Sequence, residues 1–121
     1  MDCVFCKIIN NEIPSYTIYE DKIVKVILDI NPDHNGHALI IPKKHFVNIE
    51  DIDEKTLIYI SRVSKYIYKL LNSKLNFDGL TIIQNNGLPQ EVKHYHMHII
   101  PKYKEEIPKE VEEIYNIING K

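Results

Sequence analysis

The sequence predicts an α+β fold: a mostly antiparallel five-stranded sheet, one long helix and short terminal helices. Three observations carry this. Five β-rich runs are separated by hairpin-length or turn-rich links, a single stretch keeps a helical apolar period over six turns, and the last dozen residues repeat that period briefly. No repeat, low-complexity tract or Pro- or Gly/Ser-rich linker divides the 121 residues, so residues 1–121 are read as one domain.

In order, Lys7 to Asn11 reads as a short helix closed by Asn10-Asn11 and the turn before Pro14. Thr17-Ile18-Tyr19 and Ile23 to Leu28 form a hairpin across the polar Glu20-Asp21-Lys22. Asn31 to Gly36 is a cluster of turn formers, and His34 within it reads as an exposed loop residue. The run His37 to Ile41, stopped by Pro42, is the third strand. From Asp53 to Leu75, Leu57, Ile60, Val63, Ile67, Leu70 and Leu71 recur at three- and four-residue steps with charged residues between them, which is an amphipathic helix. Leu80 to Gln84 and Tyr95 to Ile100 are the last two strands, joined by the loop Asn85 to Lys93. Val111, Ile114, Tyr115 and Ile118 place a short helix between Pro108 and Asn119.

A net charge of -2 argues against a large nucleic-acid-binding surface. The N-terminus lacks the charged start and apolar run of a signal peptide, and no stretch is apolar enough to span a bilayer, so a cytoplasmic protein without a membrane partner is expected.

The most informative segment is His94-Tyr95-His96-Met97-His98-Ile99-Ile100. In a strand, side chains at i, i+2 and i+4 share a face, so three imidazoles should project together. A solvated polar face, a three-histidine zinc site and phosphoryl-transfer chemistry all fit that pattern. Imidazole suits the last because it is a nucleophile at neutral pH that can form a covalent intermediate. No G-x-x-x-x-G-K-[ST] loop is present, which excludes a P-loop NTPase. Cys3 and Cys6 supply C-x-x-C, the spacing of a zinc knuckle that needs two further ligands, of a redox pair, or of two buried thiols.

The segment His94 to Ile100 resembles the H-φ-H-φ-H-φ-φ signature of the histidine triad (HIT) superfamily. Phe5-Cys6-Lys7-Ile8-Ile9, Leu28-Asp29-Ile30, Gly36-His37, Ile41-Pro42-Lys43-Lys44-His45 and Gln84-Asn85-Asn86-Gly87 extend the similarity to the Hint-like branch, over residues 3 to about 103. The resemblance implies a HIT-like fold and a hydrolase of purine nucleoside phosphoramidates or related conjugates. His96 would be the nucleophile, with His98 and His37 beside the phosphate; a strand-start residue is the plainer reading of His37. Asp29 would hold the ribose hydroxyls, Asn85, Gln90 and the backbone at Glu91 the phosphate, and Phe5, Ile8, Ile27, Leu28 and Ile30 the nucleoside. Core packing is the other reading of those five apolar residues. Pro89 stands where the family usually has glycine, which removes one N–H donor from the phosphate loop.

The resemblance also implies a structural zinc ion on Cys3, Cys6, His45 and His94, no organic cofactor, and a homodimer built through the long helix and the sheet. Gln90 and Val92-Lys93-His94 are similar to the dinucleoside polyphosphate hydrolase branch, so that activity stands as an alternative. A non-catalytic purine-nucleotide-binding module and a zinc-dependent hydrolase are the others.

Overall fold

The structure, a computed structural model, describes residues 3–120; Met1, Asp2 and Lys121, part of the 1–121 domain expected from sequence, lie outside the described residues. Its elements are α1 (Val4–Ile9), β1 (Thr17–Glu20), β2 (Val24–Leu28), β3 (Ala38–Pro42), α2 (Glu54–Leu75), β4 (Gly79–Gln84), β5 (Met97–Lys102) and α3 (Val111–Ile118). The strands form one antiparallel sheet in the order β1-β2-β3-β5-β4.

Every residue of β2 and β3 is buried, because both faces of the sheet centre are covered. Val24, Val26, Leu28, Ala38, Ile40, Met97 and Ile99 pack with Ile60, Val63, Ile67 and Leu71 of α2 and Ile114 and Ile118 of α3. Ile27, Leu39 and Ile41, on the opposite face, pack with Cys3, Phe5 and Ile8 at the start of the chain. Two apolar layers on one sheet explain why these strands read as continuous apolar runs rather than as alternating ones. The buried Lys25 shares the second face and donates from Nζ to the Ile8 carbonyl at 3.1 Å and to Asn11 Oδ1 at 3.3 Å, closing the C-terminal end of α1.

Two boundaries depart from the sequence reading. The first helix begins at Val4 rather than Lys7, because Cys3 Sγ accepts from Cys6 N and caps it, and it ends before Asn11, whose φ of 62° breaks the helical path. The last strand begins at Met97 rather than Tyr95. Its pairing with both neighbours ends there, at Ile40 and Gln84, and Tyr95 N instead donates to the Phe46 carbonyl at 2.7 Å. At the other end the strand continues through Pro101 to Lys102, where β4 is its only neighbour and a missing N–H is tolerated. The long helix matches its expected span, with Asp53 as N-cap accepting from Thr56 N and Asn76 in the left-handed region as C-cap.

Asp21, in the β1–β2 turn, ties the hairpin to α2. Its carboxylate accepts from Tyr19 Oη at 2.7 Å, Ile23 N at 2.8 Å, Val24 N at 2.9 Å and the Tyr59 hydroxyl of α2. Burial opposes its charge, but these donors outweigh burial and hold its pKa at about 2, below the ordinary 3.8. A carboxyl whose folded pKa lies below its unfolded one contributes stability above the unfolded value, and that contribution disappears as pH falls through the folded one. Asp21→Asn should therefore lower the unfolding free energy by about 1–3 kcal/mol at pH 7. In urea denaturation the difference should shrink progressively below about pH 4; a constant difference down to pH 2 would contradict the assignment.

Candidate active site and metal centre

His37 follows the Asn31–Gly36 turn, and that turn is fastened by the C-terminal segment. Tyr103 Oη donates to the Asn35 carbonyl at 2.6 Å, Asn35 N donates to Glu106 Oε2 at 2.7 Å, and Asn35 Nδ2 donates to the Ile107 carbonyl at 2.9 Å. His34, expected to be an exposed loop residue, is half-buried with Nδ1 2.6 Å from Glu106 Oε1. Gly36 closes the turn with a φ of +86°, and a Cβ there would lie 2.5 Å from Leu75 Cδ1. The turn aims Asp33 N at His37 Nδ1, 3.1 Å away.

That single backbone bond sets the protonation pattern of two imidazoles. Because His37 Nδ1 accepts, its proton sits on Nε2, which donates to His98 Nδ1 at 3.0 Å; His98 then carries its own proton on Nε2. Asp29 Oδ2 lies 3.6 Å from His37 Nε2, and its Oδ1 accepts from Asn31 N at 2.9 Å. Asp29, His37 and His98 are close enough to hold a metal ion. The Asp33 N–H argues against one, since metal on His37 Nε2 would require the proton on Nδ1, facing another N–H.

His96 is bound differently. Its Nδ1 donates to the His94 carbonyl at 2.7 Å, and its ring packs edge-on against Phe5, with centroids 5.0 Å apart. Nε2 of His96 and Nε2 of His98 have no protein partner among the described residues, yet no buried side-chain polar atom there is left unpaired, so both atoms are reachable by solvent. Burial pushes the pKa of His37, His96 and His98 below the ordinary 6.5, against the opposing pull of Asp29. At neutral pH all three present lone pairs and N–H groups rather than positive charge.

A 560 Å³ cavity opens between α1, β2 and the loop before β5, and its wall includes His37, His96 and His98. Phe5, Ile8, Ile27, Leu28, Asp29 and Ile30 line one side; Asn85, Pro89 and Glu91 line another. Phe5, Ile8, Ile27 and Leu28 are also core residues, so they serve the packing and the cavity wall at once, whereas Ile30 is exposed at the rim. Gln90 is not part of the wall. Its Nε2 donates to the Val47 carbonyl at 2.6 Å and its Oε1 accepts from Gly87 N at 3.2 Å, so it braces the loop instead of facing a phosphate. Leu39 and Ile83 also line the cavity and were missed. Strand alternation from His37 would have found Leu39; nothing local marks Ile83.

The three signature imidazoles lie on the α1 side of the chain, with His94 and His96 both against Phe5 and His98 beside His96, while Tyr95, Met97 and Ile99 enter the layer against α2, as the alternation predicts. His94 turns to the other constellation, where Cys3, Cys6, His45 and His94 bring their ligand atoms within 4.8 Å of one another. His94 Nδ1 lies 3.5 Å from Cys3 Sγ and 3.6 Å from Cys6 Sγ, and His45 Nδ1 lies 3.3 Å from Cys6 Sγ. Those separations match the roughly 3.5 Å edges of a zinc tetrahedron with bonds of about 2.0–2.3 Å. His94 Nε2 donates to the Pro42 carbonyl at 2.8 Å, which leaves the Nδ1 lone pair facing the thiols. Burial drives the His94 pKa down to about 4, so the ring is neutral, as a ligand must be. Burial and the neighbouring Cys3 thiol push Cys6 up, a cost that a bound cation would offset. The donor set is compatible with zinc.

Residues 10–105 match the HIT domain, and the chain belongs to that family. It is 48% identical over 105 residues to an uncharacterized HIT-like protein of Methanocaldococcus jannaschii, covering 84% of this chain and 80% of that one. It is 43% identical over 105 residues to the adenosine 5'-monophosphoramidase of Saccharomyces cerevisiae, covering 85% of this chain and 64% of that enzyme. Among solved structures, a zinc-bound histidine triad family protein from Mycobacterium smegmatis superposes with a TM-score of 0.91 at 33% identity, over 99% of this chain and 92% of the other.

Proposed function

We propose that the protein is a nucleotide hydrolase that cleaves the P–N or P–O bond of purine nucleoside phosphoramidates or related nucleotidyl conjugates through a nucleotidyl-His96 intermediate. The observation that carries this reading is the His96 tautomer: with Nδ1–H held by the His94 carbonyl, the Nε2 lone pair is left for the cavity. On an amide, Nε2 attacks the α-phosphorus and the P–N bond breaks with its electron pair on nitrogen, which takes a proton from solvent and leaves as the amine. The ring then carries positive charge, which the Nδ1–H···O bond stabilises. Water attacks the same phosphorus, the P–Nε2 bond breaks with its pair returning to the imidazole, and the nucleoside monophosphate departs as the water gives up a proton.

His98 offers an Nε2–H to a phosphate oxygen, and Asn85 a side-chain amide. Asp29 can accept from ribose hydroxyls, and Phe5, Ile8, Ile27, Leu28 and Ile30 give the apolar surface that a base requires. The name of the yeast relative supports the amide as substrate. Cys3, Cys6, His45 and His94 would hold a zinc ion that ties three chain segments together; no bond-making step needs it. The edge strand β4 exposes Ile82 and Ile83, and α2 exposes Ile58, Tyr66 and Tyr68, apolar surface that supports a homodimer. No helix among the described residues is long and apolar enough to cross a membrane.

The test is chromatographic detection of AMP from adenosine 5'-phosphoramidate and, separately, from a diadenosine polyphosphate. Release from the amide at least about tenfold faster is expected. The reverse preference would assign the protein to dinucleotide hydrolysis, and AMP binding with no turnover of either compound would reduce it to a binding module.

A further inference from the structure

The cavity assigned to a nucleotide offers no cation to an anion. Its wall carries three carboxylates, Asp29, Asp33 and Glu91, and among the described residues no lysine or arginine. Lys93 is turned to its own loop, donating from Nζ to the carbonyls of Gly87 at 2.7 Å and Gln90 at 2.9 Å. Lys102, whose charge reaches His37, sits exposed at the end of β5 outside the wall. Sites that bind polyphosphate chains recruit lysine and arginine, and a like charge set against such a chain disfavours it.

Asp29 and Glu91 occupy different parts of the wall. Asp29 follows β2 and is committed to Asn31 N and His37. Glu91 is exposed, has no hydrogen-bond or ion-pair partner among the described residues, and its field reaches both His96 and His98. If the apolar side formed by α1 and β2 receives base and ribose, the departing group extends toward Asn85 and Glu91. A carboxylate there with no protein partner is free to interact with the departing group.

We propose that Glu91 selects the leaving group by charge, favouring nucleotidyl conjugates whose departing group carries a positive charge beyond the scissile bond and disfavouring anionic or polyphosphate leaving groups. This inference rests on the phosphoramidase reading above. The complementary chemistry is an amine-bearing leaving group, such as a diamine or the side chain of a basic amino acid.

Three AMP amides of equal length test it: those of n-butylamine, of the matching four-carbon diamine and of the matching four-carbon amino acid. For the wild type, kcat/KM should fall from diamine to butylamine to amino acid by about two- to five-fold per step, with the spread shrinking as salt rises. Glu91→Gln should bring the three within about 1.5-fold of one another, Glu91→Asp should keep the order and Glu91→Lys should reverse it. A flat series in the wild type, or a spread unchanged in Glu91→Gln, overturns the proposal while butylamide cleavage still upholds the phosphoramidase reading. Failure of the wild type to cleave any of the amides overturns both.

Discussion

Replacing His96 with alanine should lower AMP release from adenosine 5'-phosphoramidate by at least about 10⁴-fold, since it removes the only atom proposed to bond to phosphorus. A loss that large separates a nucleophile from a neighbour that merely stabilises charge, whose removal costs about 10²–10³-fold. The buried ring also packs on Phe5, so the alanine variant should be less stable by about 1–3 kcal/mol and must be compared where it remains folded. Metal content should not change, because the side chain of His96 lies outside the cysteine cluster. Rapid quenching gives an independent readout: wild type should carry an acid-labile nucleotidyl label on an imidazole, and His96→Ala none. A variant with wild-type turnover, or a label that survives the substitution, would remove His96 from the mechanism.

Stripping zinc should be the largest perturbation of stability. The four candidate ligands come from the start of α1, the segment after β3 and the segment before β5, so an ion held by them would close contacts between residues 39 to 91 positions apart. A metal at a thousand times its dissociation constant contributes about 4 kcal/mol, which for a domain of this size corresponds to a melting shift of roughly 10–20 °C. Chelator and Cys6→Ser should each produce that shift, and chelator should have no further effect on the variant. The fold should persist in both, since the layer between the sheet and α2 contains none of the four ligands. An unchanged melting temperature after verified metal removal would overturn the structural role. Full activity in metal-free, folded protein would dispose of a zinc-dependent hydrolase.

What could be read from sequence was whatever depends on local period or spacing. The span of α2 and the five strands followed from apolar recurrence, and C-x-x-C announced itself. The zinc-compatible set and the nucleotide side proposed for the cavity needed the family resemblance, because Cys3, His45 and His94 are joined only by the fold. The histidine alternation held: Tyr95, Met97 and Ile99 enter the layer against α2, and His94, His96 and His98 lie on the α1 side. What it missed is the strand start, because pairing with both β3 and β4 begins only at Met97. Gln90 shows the opposite failure: its position suggested a phosphate contact, while its amide is used up on Val47 and Gly87. Neither Asp33 N nor the His94 carbonyl could be weighed from sequence, since every residue but proline has the first group and all have the second.

The main-chain origin of those two contacts bears on how the site tolerates genetic change. The protonation form of His96 is dictated by a carbonyl, and that of His37, and through it His98, by an amide N–H. No side-chain replacement at residue 94 deletes the acceptor, and at residue 33 only proline deletes the donor. A deep mutational scan would therefore register the imidazoles themselves and the packing of the turn, yet show no side chain outside the imidazoles that dictates which ring nitrogen carries the proton. That control is distributed into backbone shape, where insertions and deletions, rather than substitutions, are what it cannot survive.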